Sequence, residues 1–154
     1  MCEYCGCQSI PAIAALIDEH DELRGIAREA SSAARRGDRR AAAHAAAKLL
    51  KVLAPHNEIE ERALMPAMAG EFADHVASLE QEHRHLNELL MGIADETADV
   101  PDWAQRLEDA VAELFTHILR EQDGLFPATL SVLTPAQWDE LDEVRAEVTA
   151  RSAG

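Results

Sequence analysis

Two stretches of this chain repeat one another, the second beginning 61 residues after the first. His56-Asn-Glu-Ile-Glu60-Glu-Arg-Ala-Leu64-Met-Pro66-Ala67 and His117-Ile-Leu-Arg-Glu121-Gln-Asp-Gly-Leu125-Phe-Pro127-Ala128 share a His, a Glu four positions on, then Leu, Met or Phe, Pro and Ala at matching offsets. Glu19-His20-Asp-Glu-Leu23 and Glu82-His83-Arg-His-Leu86 form a second pair, 63 residues apart. The order E-H-x-x-L followed by H-x-x-x-E thus occurs twice, and the first half of the fold has to resemble the second. At 3.6 residues per turn, His and Glu four apart lie about 40° from each other around a helix axis, so a single helix offers both to one site.

Composition agrees with helices. Ala, Leu, Glu and Arg dominate, aromatic residues make up 4%, and Val and Ile are scattered rather than clustered as strands would need. Ser9 followed by Pro11 reads as the start of a first helix over about 11 to 36, ended by Gly37-Asp38. A second helix is expected from about 39 to 68, giving way at Gly70, and a third from about 72 to 95. A loop from Asp95 to Pro101 leads to a fourth helix from near Asp102 to about Ala128. Thr134, Pro135 and Gln137 form the capping start of a fifth helix reaching about Ala150. Short connections make neighbours antiparallel, so the expected fold is an all-α, up-down-up-down four-helix bundle with a short C-terminal fifth helix. The chain divides into a cysteine-containing tail (1–9), the bundle (10–128) and the C-terminal helix (129–154).

Apolar spacing tells which way the His/Glu pairs face. Leu16, Ile17 and Leu23 flank His20; Leu49, Leu53 and Leu64 flank His56 and Glu60; Val76, Leu79 and Leu86 flank His83; Leu107, Leu114 and Leu125 flank His117 and Glu121. All six polar residues therefore fall on core stripes. Height along the bundle is an independent constraint, because antiparallel neighbours bring two positions level only when the turn lies midway between them. The midpoints of His20/His56, His56/His83 and His83/His117 fall at 38, between 69 and 70, and at 100, which are the expected breaks. Four imidazoles and two carboxylates then share one layer of an apolar interior, where each buried ion is penalised by several kcal/mol unless compensated. Metal cations compensate them. Imidazole with carboxylate suits iron, manganese or zinc, and six residues exceed what one structural zinc uses. Two ions would employ the whole set: two His each, with Glu60 and Glu121 bridging and solvent oxygens in the remaining positions.

In this motif order the chain resembles the hemerythrin-like HHE cation-binding family over about residues 10 to 128. The resemblance implies a bundle around two non-haem iron ions (Fe2+/Fe3+) with a bridging oxo or hydroxo group. Ferritin-like di-iron proteins differ in using E-x-x-H at three-residue spacing. Oxygen-carrying hemerythrins have a second His one turn from the first on the third helix and an Asp on the fourth. Here Leu79 and Asn87 occupy the flanking positions of His83, and Glu121 takes the acidic place. The four-His, two-Glu set is closer to relatives associated with iron-centre repair and nitric oxide stress. Fewer imidazoles leave more open positions for redox chemistry. The implied function is binding of, or reaction with, a small oxidant (peroxide, O2 or NO) in stress defence or iron-centre maintenance, with a protein redox partner. Turnover, peroxidase- or catalase-like or NO-related, is left open. An oxygen or redox sensor without turnover and a bundle using metal only for stability are the rivals.

Other features set limits. The formal net charge of −15 repels phosphate backbones and anionic lipid surfaces, so neither nucleic acid nor membrane is an expected partner. The first residues, MCEYCGCQ, lack a basic segment followed by an apolar one, and no apolar run approaches the roughly 18 to 20 residues that span a bilayer; the expectation is a cytoplasmic protein. Cys2, Cys5 and Cys7 form C-x-x-C-x-C, too few ligands for a closed zinc site alone, and are redox or metal-linked thiols or else an exposed tail. His85 lies about 200° from His83 and should face solvent, while His75, two turns away and about 80° around, is an edge position rather than a ligand. His44 is taken as structural. Pro55 inside the second helix implies a kink beside the layer or an interruption unrelated to it. Glu19 and Glu82 are read first as surface charge, with orientation of the histidines as the alternative.

Overall fold

A computed structural model describes residues 6–153, so Cys2 and Cys5 lie outside the described residues. Its helices are α1 (Pro11–Arg35), α2 (Arg39–Ile59), α3 (Met65–Ala94), α4 (Trp103–Arg120), α5 (Phe126–Val132) and α6 (Pro135–Ser152). A 3-10 turn, Cys7–Ser9, precedes them, and two wide π turns, Glu60–Leu64 and Glu121–Leu125, join α2 to α3 and α4 to α5. α1 packs on α2 and α4, and α3 on the same two helices, which closes a four-helix bundle. The all-α bundle with an added C-terminal helix is therefore as expected.

The α1–α2 turn shows why the chain reverses there. Gly37 adopts φ 68°, a left-handed conformation that glycine takes without a Cβ clash, and the Asp38 side chain then caps α2 by accepting from the Ala41 N–H at 3.0 Å. At the same end Arg39 donates to the carbonyls of Ile93 and Asp95, at 2.5 and 2.8 Å, joining the Ala98 N–H on the latter and tying the start of α2 to the close of α3. Thr134 and Gln137 form the expected reciprocal capping box at the start of α6.

Three boundaries differ from expectation. α1 is capped by Ile10 rather than Ser9, whose hydroxyl instead donates to the Gly6 carbonyl at 2.6 Å. The bend between the second and third bundle helices is not at Gly70 but at Phe72, the one residue within α3 with non-helical backbone (φ −130°, ψ 39°). α2 continues through Pro55, and the irregular backbone falls one turn later, at the wide turn that begins with Glu60.

The apolar interior comes in two masses. One, rich in alanine, joins Leu23, Ala27 and Ala30 to Ala42, Ala46, Leu49, Leu90, Leu107 and Leu114. The other gathers Ile13, Leu16, Ile59, Leu64, Met65, Met68, Leu79 and Phe126, and takes in Leu141 and Val148 of α6. Cys7 is buried in this second mass, so an exposed thiol does not describe it. Among the described residues no helix is long and apolar enough to cross a membrane.

Candidate metal centre

His20, His56, Glu60, His83, His117 and Glu121 are at most 2% exposed, although each is polar or charged. α1 carries His20, α2 His56, α3 His83 and α4 His117, while Glu60 and Glu121 each open one of the two wide turns. The repeated Leu-x-Pro-Ala sequence explains those turns. Pro66 and Pro127 lack an N–H, and their rings would clash with the carbonyl four residues back in a regular α-helix. An extra residue per turn relieves the clash: the Met65 N–H reaches the Glu60 carbonyl and the Phe126 N–H the Glu121 carbonyl, each five residues back.

The six side chains converge in two sets that share both carboxylates. His20, His56, Glu60 and Glu121 bring one ligand atom each within 4.8 Å of the others, and so do Glu60, His83, His117 and Glu121. The Nε2 atoms of His20 and His56 approach to 3.1 Å and those of His83 and His117 to 3.0 Å, so the imidazoles pair as α1 with α2 and α3 with α4. Glu121 lies 3.1 Å from the His20 Nε2 and 3.0 Å from that of His117; Glu60 lies 3.5 Å from His56 and 3.4 Å from His83. Spacing alone left open which imidazoles stand together; the side chains meet across α1–α2 and across α3–α4. The Phe126 ring stacks on His20, centroid to centroid 5.6 Å.

Three of the imidazoles are held from behind. His56 Nδ1 donates to Glu19 at 2.7 Å, His83 Nδ1 to Glu61 at 2.8 Å and His117 Nδ1 to Glu82 at 2.8 Å. A proton held on Nδ1 leaves each Nε2 as the nitrogen that would bind a cation in the centre. Glu19 and Glu82 are therefore not free surface charges: each follows the orienting alternative, but for the His of the next helix instead of its own neighbour in sequence. Arg145 donates to Glu19 at 2.7 Å, and Arg120 pairs with Glu82. The His20 Nδ1, fully buried, has no such partner.

Charge follows this geometry. Burial pushes the His83 imidazole down, but Glu121, Glu60 and Glu61 outweigh it and carry its pKa up to about 11. Burial likewise works against His56, which Glu60 and Glu19 raise on balance. In His20 burial prevails and the pKa is lowered. Burial raises the Glu121 carboxyl, yet the facing His117, His20 and His83 hold it well below the ordinary range.

All four oxygens of Glu60 and Glu121 are buried and accept no hydrogen bond from the protein. Buried carboxylate oxygens are ordinarily satisfied, and orphaning them is expensive. Four inward imidazole nitrogens beside four unsatisfied oxygens form a donor set for cations of the iron, manganese or zinc type.

Of the remaining histidines, His44 and His85 are exposed, and His85 meets Glu113 at 2.9 Å. His75 stands outside the layer, as expected, with Nδ1 accepting from Arg120 at 3.3 Å and Nε2 buried near Gly124. Arg145, Glu61 and Arg120 also support the layer, although no spacing in the sequence marks them for it. The E-H dipeptide repeat contained the signal for Glu19 and Glu82, whereas nothing in the sequence ties Arg145 to a histidine 89 positions away.

No curated protein and no solved structure matches the chain. Residues 12–129 match the family described as the hemerythrin HHE cation-binding domain, a span that contains all six converging residues. The chain belongs to the hemerythrin HHE cation-binding family and is a metal-binding protein of that kind.

Proposed function

We propose that this protein holds two iron ions and uses them to bind or react with a small oxidant, peroxide, O2 or NO, in stress defence or iron-centre maintenance. One ion would be held by His20 and His56, the other by His83 and His117, with Glu60 and Glu121 bridging. The observation that carries this reading is the pair of carboxylates common to both sets, their oxygens buried and unsatisfied. A single ion would use only one set.

Bound iron would supply Lewis acidity and one-electron chemistry. The residues do the rest. Glu19, Glu61 and Glu82 orient three imidazoles and fix their tautomer, and the two apolar masses keep bulk water from the layer. Four imidazoles for two ions favour reactivity over simple reversible carriage. The charge of −15 suits a neutral ligand better than an anionic substrate. The protein would act in the cytoplasm with a protein reductant.

A sensor without turnover is favoured by one observation, the docking of α6 on the centre's outer carboxylate Glu19, which would give metal state a route to an external contact.

The test is metal analysis of protein purified with iron supplied, followed by stopped-flow spectra with peroxide and with NO. Two irons per chain and a spectral response to either reagent are expected. Fewer than about one metal per chain overturns the di-iron reading, and two irons inert to both reagents leave a structural role.

A further inference from the structure

The family match ends at residue 129, yet α6, Pro135–Ser152, reaches back to the centre. It lies against α2, the first wide turn and α1, burying Leu141 and Val148. At its outer edge Arg62 pairs with Glu147 at 2.8 Å, and Arg151 pairs with Glu58. Between these anchors Arg145, with its side chain 18% exposed, extends Nη1 to Glu19 Oε1 at 2.7 Å. The other oxygen of the same carboxylate accepts from His56 Nδ1, also at 2.7 Å. An Arg-Glu-His line thus runs from a helix outside the family domain to the imidazole that faces Glu60.

The opposite half of the centre has the same line built from inside the domain. Arg120 of α4 pairs with Glu82, which accepts from His117 Nδ1, and Arg120 is itself tied to Ser78 at 3.1 Å. The two halves are alike in Glu and His but not in the source of the arginine. Without Arg145, Glu19 would be left on a partly exposed helix face, free to turn toward water, and would hold His56 in neither one tautomer nor one ring plane.

We propose that Arg145 is a positioning residue for the His20/His56 half of the centre, acting through Glu19 on His56, so that docking of α6 sets how firmly that half holds its ion. The assignment rests on the metal reading above only for its consequence, since the positioning of the ring itself can be read without metal. Loss of an outer partner of a ligating His ordinarily weakens metal binding by about 10- to 100-fold. One of the two sites should therefore weaken selectively.

The experiment compares full-length wild type with Arg145→Ala, Arg145→Lys and, as a docking control that does not touch Glu19, Arg151→Ala. In metal-free protein, ring 15N shifts of His56 report its tautomer; in protein loaded with Fe2+, chelator competition reports release from each site. Arg145→Ala should move the His56 shifts and speed release of one ion by about tenfold or more, with partial recovery in Arg145→Lys and little change in Arg151→Ala. Unchanged His56 shifts in Arg145→Ala overturn the proposal, as does an equal effect from Arg151→Ala, which would mean that only helix packing matters. If the chain takes up no iron, the di-iron reading fails, while the His56 shifts still decide the role of Arg145.

Discussion

Three of the four imidazoles in the layer give their two nitrogens separate tasks, the outer one tied to a carboxylate and the inner one facing the centre. Glu82 illustrates this at the scale of a single side chain: it accepts a hydrogen bond from His117 Nδ1 on one oxygen and pairs with the Arg120 guanidinium through the other. Replacing Glu82 by Ala should leave the fold intact and lower metal affinity by about 10- to 100-fold, measured by competition with a chelator. An unchanged affinity would show that ring orientation is set by packing alone. Removing a carboxylate common to both sets is a harsher change, because Glu60→Ala or Glu121→Ala takes a donor from both at once. Here occupancy itself should collapse, which metal analysis reads directly.

The wide turns belong to the scale of the element. They accommodate Pro66 and Pro127, which closely follow them, and they set the phase at which Glu60 and Glu121 enter the layer relative to the apolar residues that follow. Pro127→Ala removes the need for the extra residue. It should raise resistance to denaturant in the metal-free protein by less than the roughly 3 kcal/mol that separates Pro from Ala in a regular helix interior, because the wide turn already relieves the clash, while weakening metal binding. Equal or tighter binding in the variant would mean that the wide turn has no part in shaping the site. For α6, the outer anchors are carboxylates that arginines hold below their ordinary pKa of 4.5: Glu58 through Arg151 and Arg62, and Glu147 through Arg62. A lowered carboxyl stabilises at pH above its ordinary value and loses that contribution as pH falls through its lowered one. Limited proteolysis or hydrogen exchange should therefore find α6 loosening on acidification below about pH 4 and also at high salt, which screens exposed pairs.

Across the whole molecule, sequence carried the fold and the six converging residues because both follow from periodicity. His20, His56, His83 and His117 lie at heights fixed by where the turns fall, and Gly37-Asp38 and Pro101 mark two of those turns plainly. The third was less legible: Gly70 looked like the break, but a lone glycine is tolerated within a helix, and the bend fell to Phe72. Extra residues in the wide turns were invisible to a 3.6-residue template, even though the repeated prolines that follow them were in plain sight. The outer carboxylates escaped because they serve the neighbouring helix rather than their own, a relation that linear spacing does not express. Arg145 escaped for the same reason at longer range.

The polar layer also parts the interior, leaving oily material above and below a hydrophilic waist. Water has a reason to enter at the middle of this bundle before it enters at either end. After chelation, amides flanking His56 and His83 should exchange with solvent sooner than those around Leu107 or Leu64, and the protein should soften from its girdle outward rather than fray from its tips.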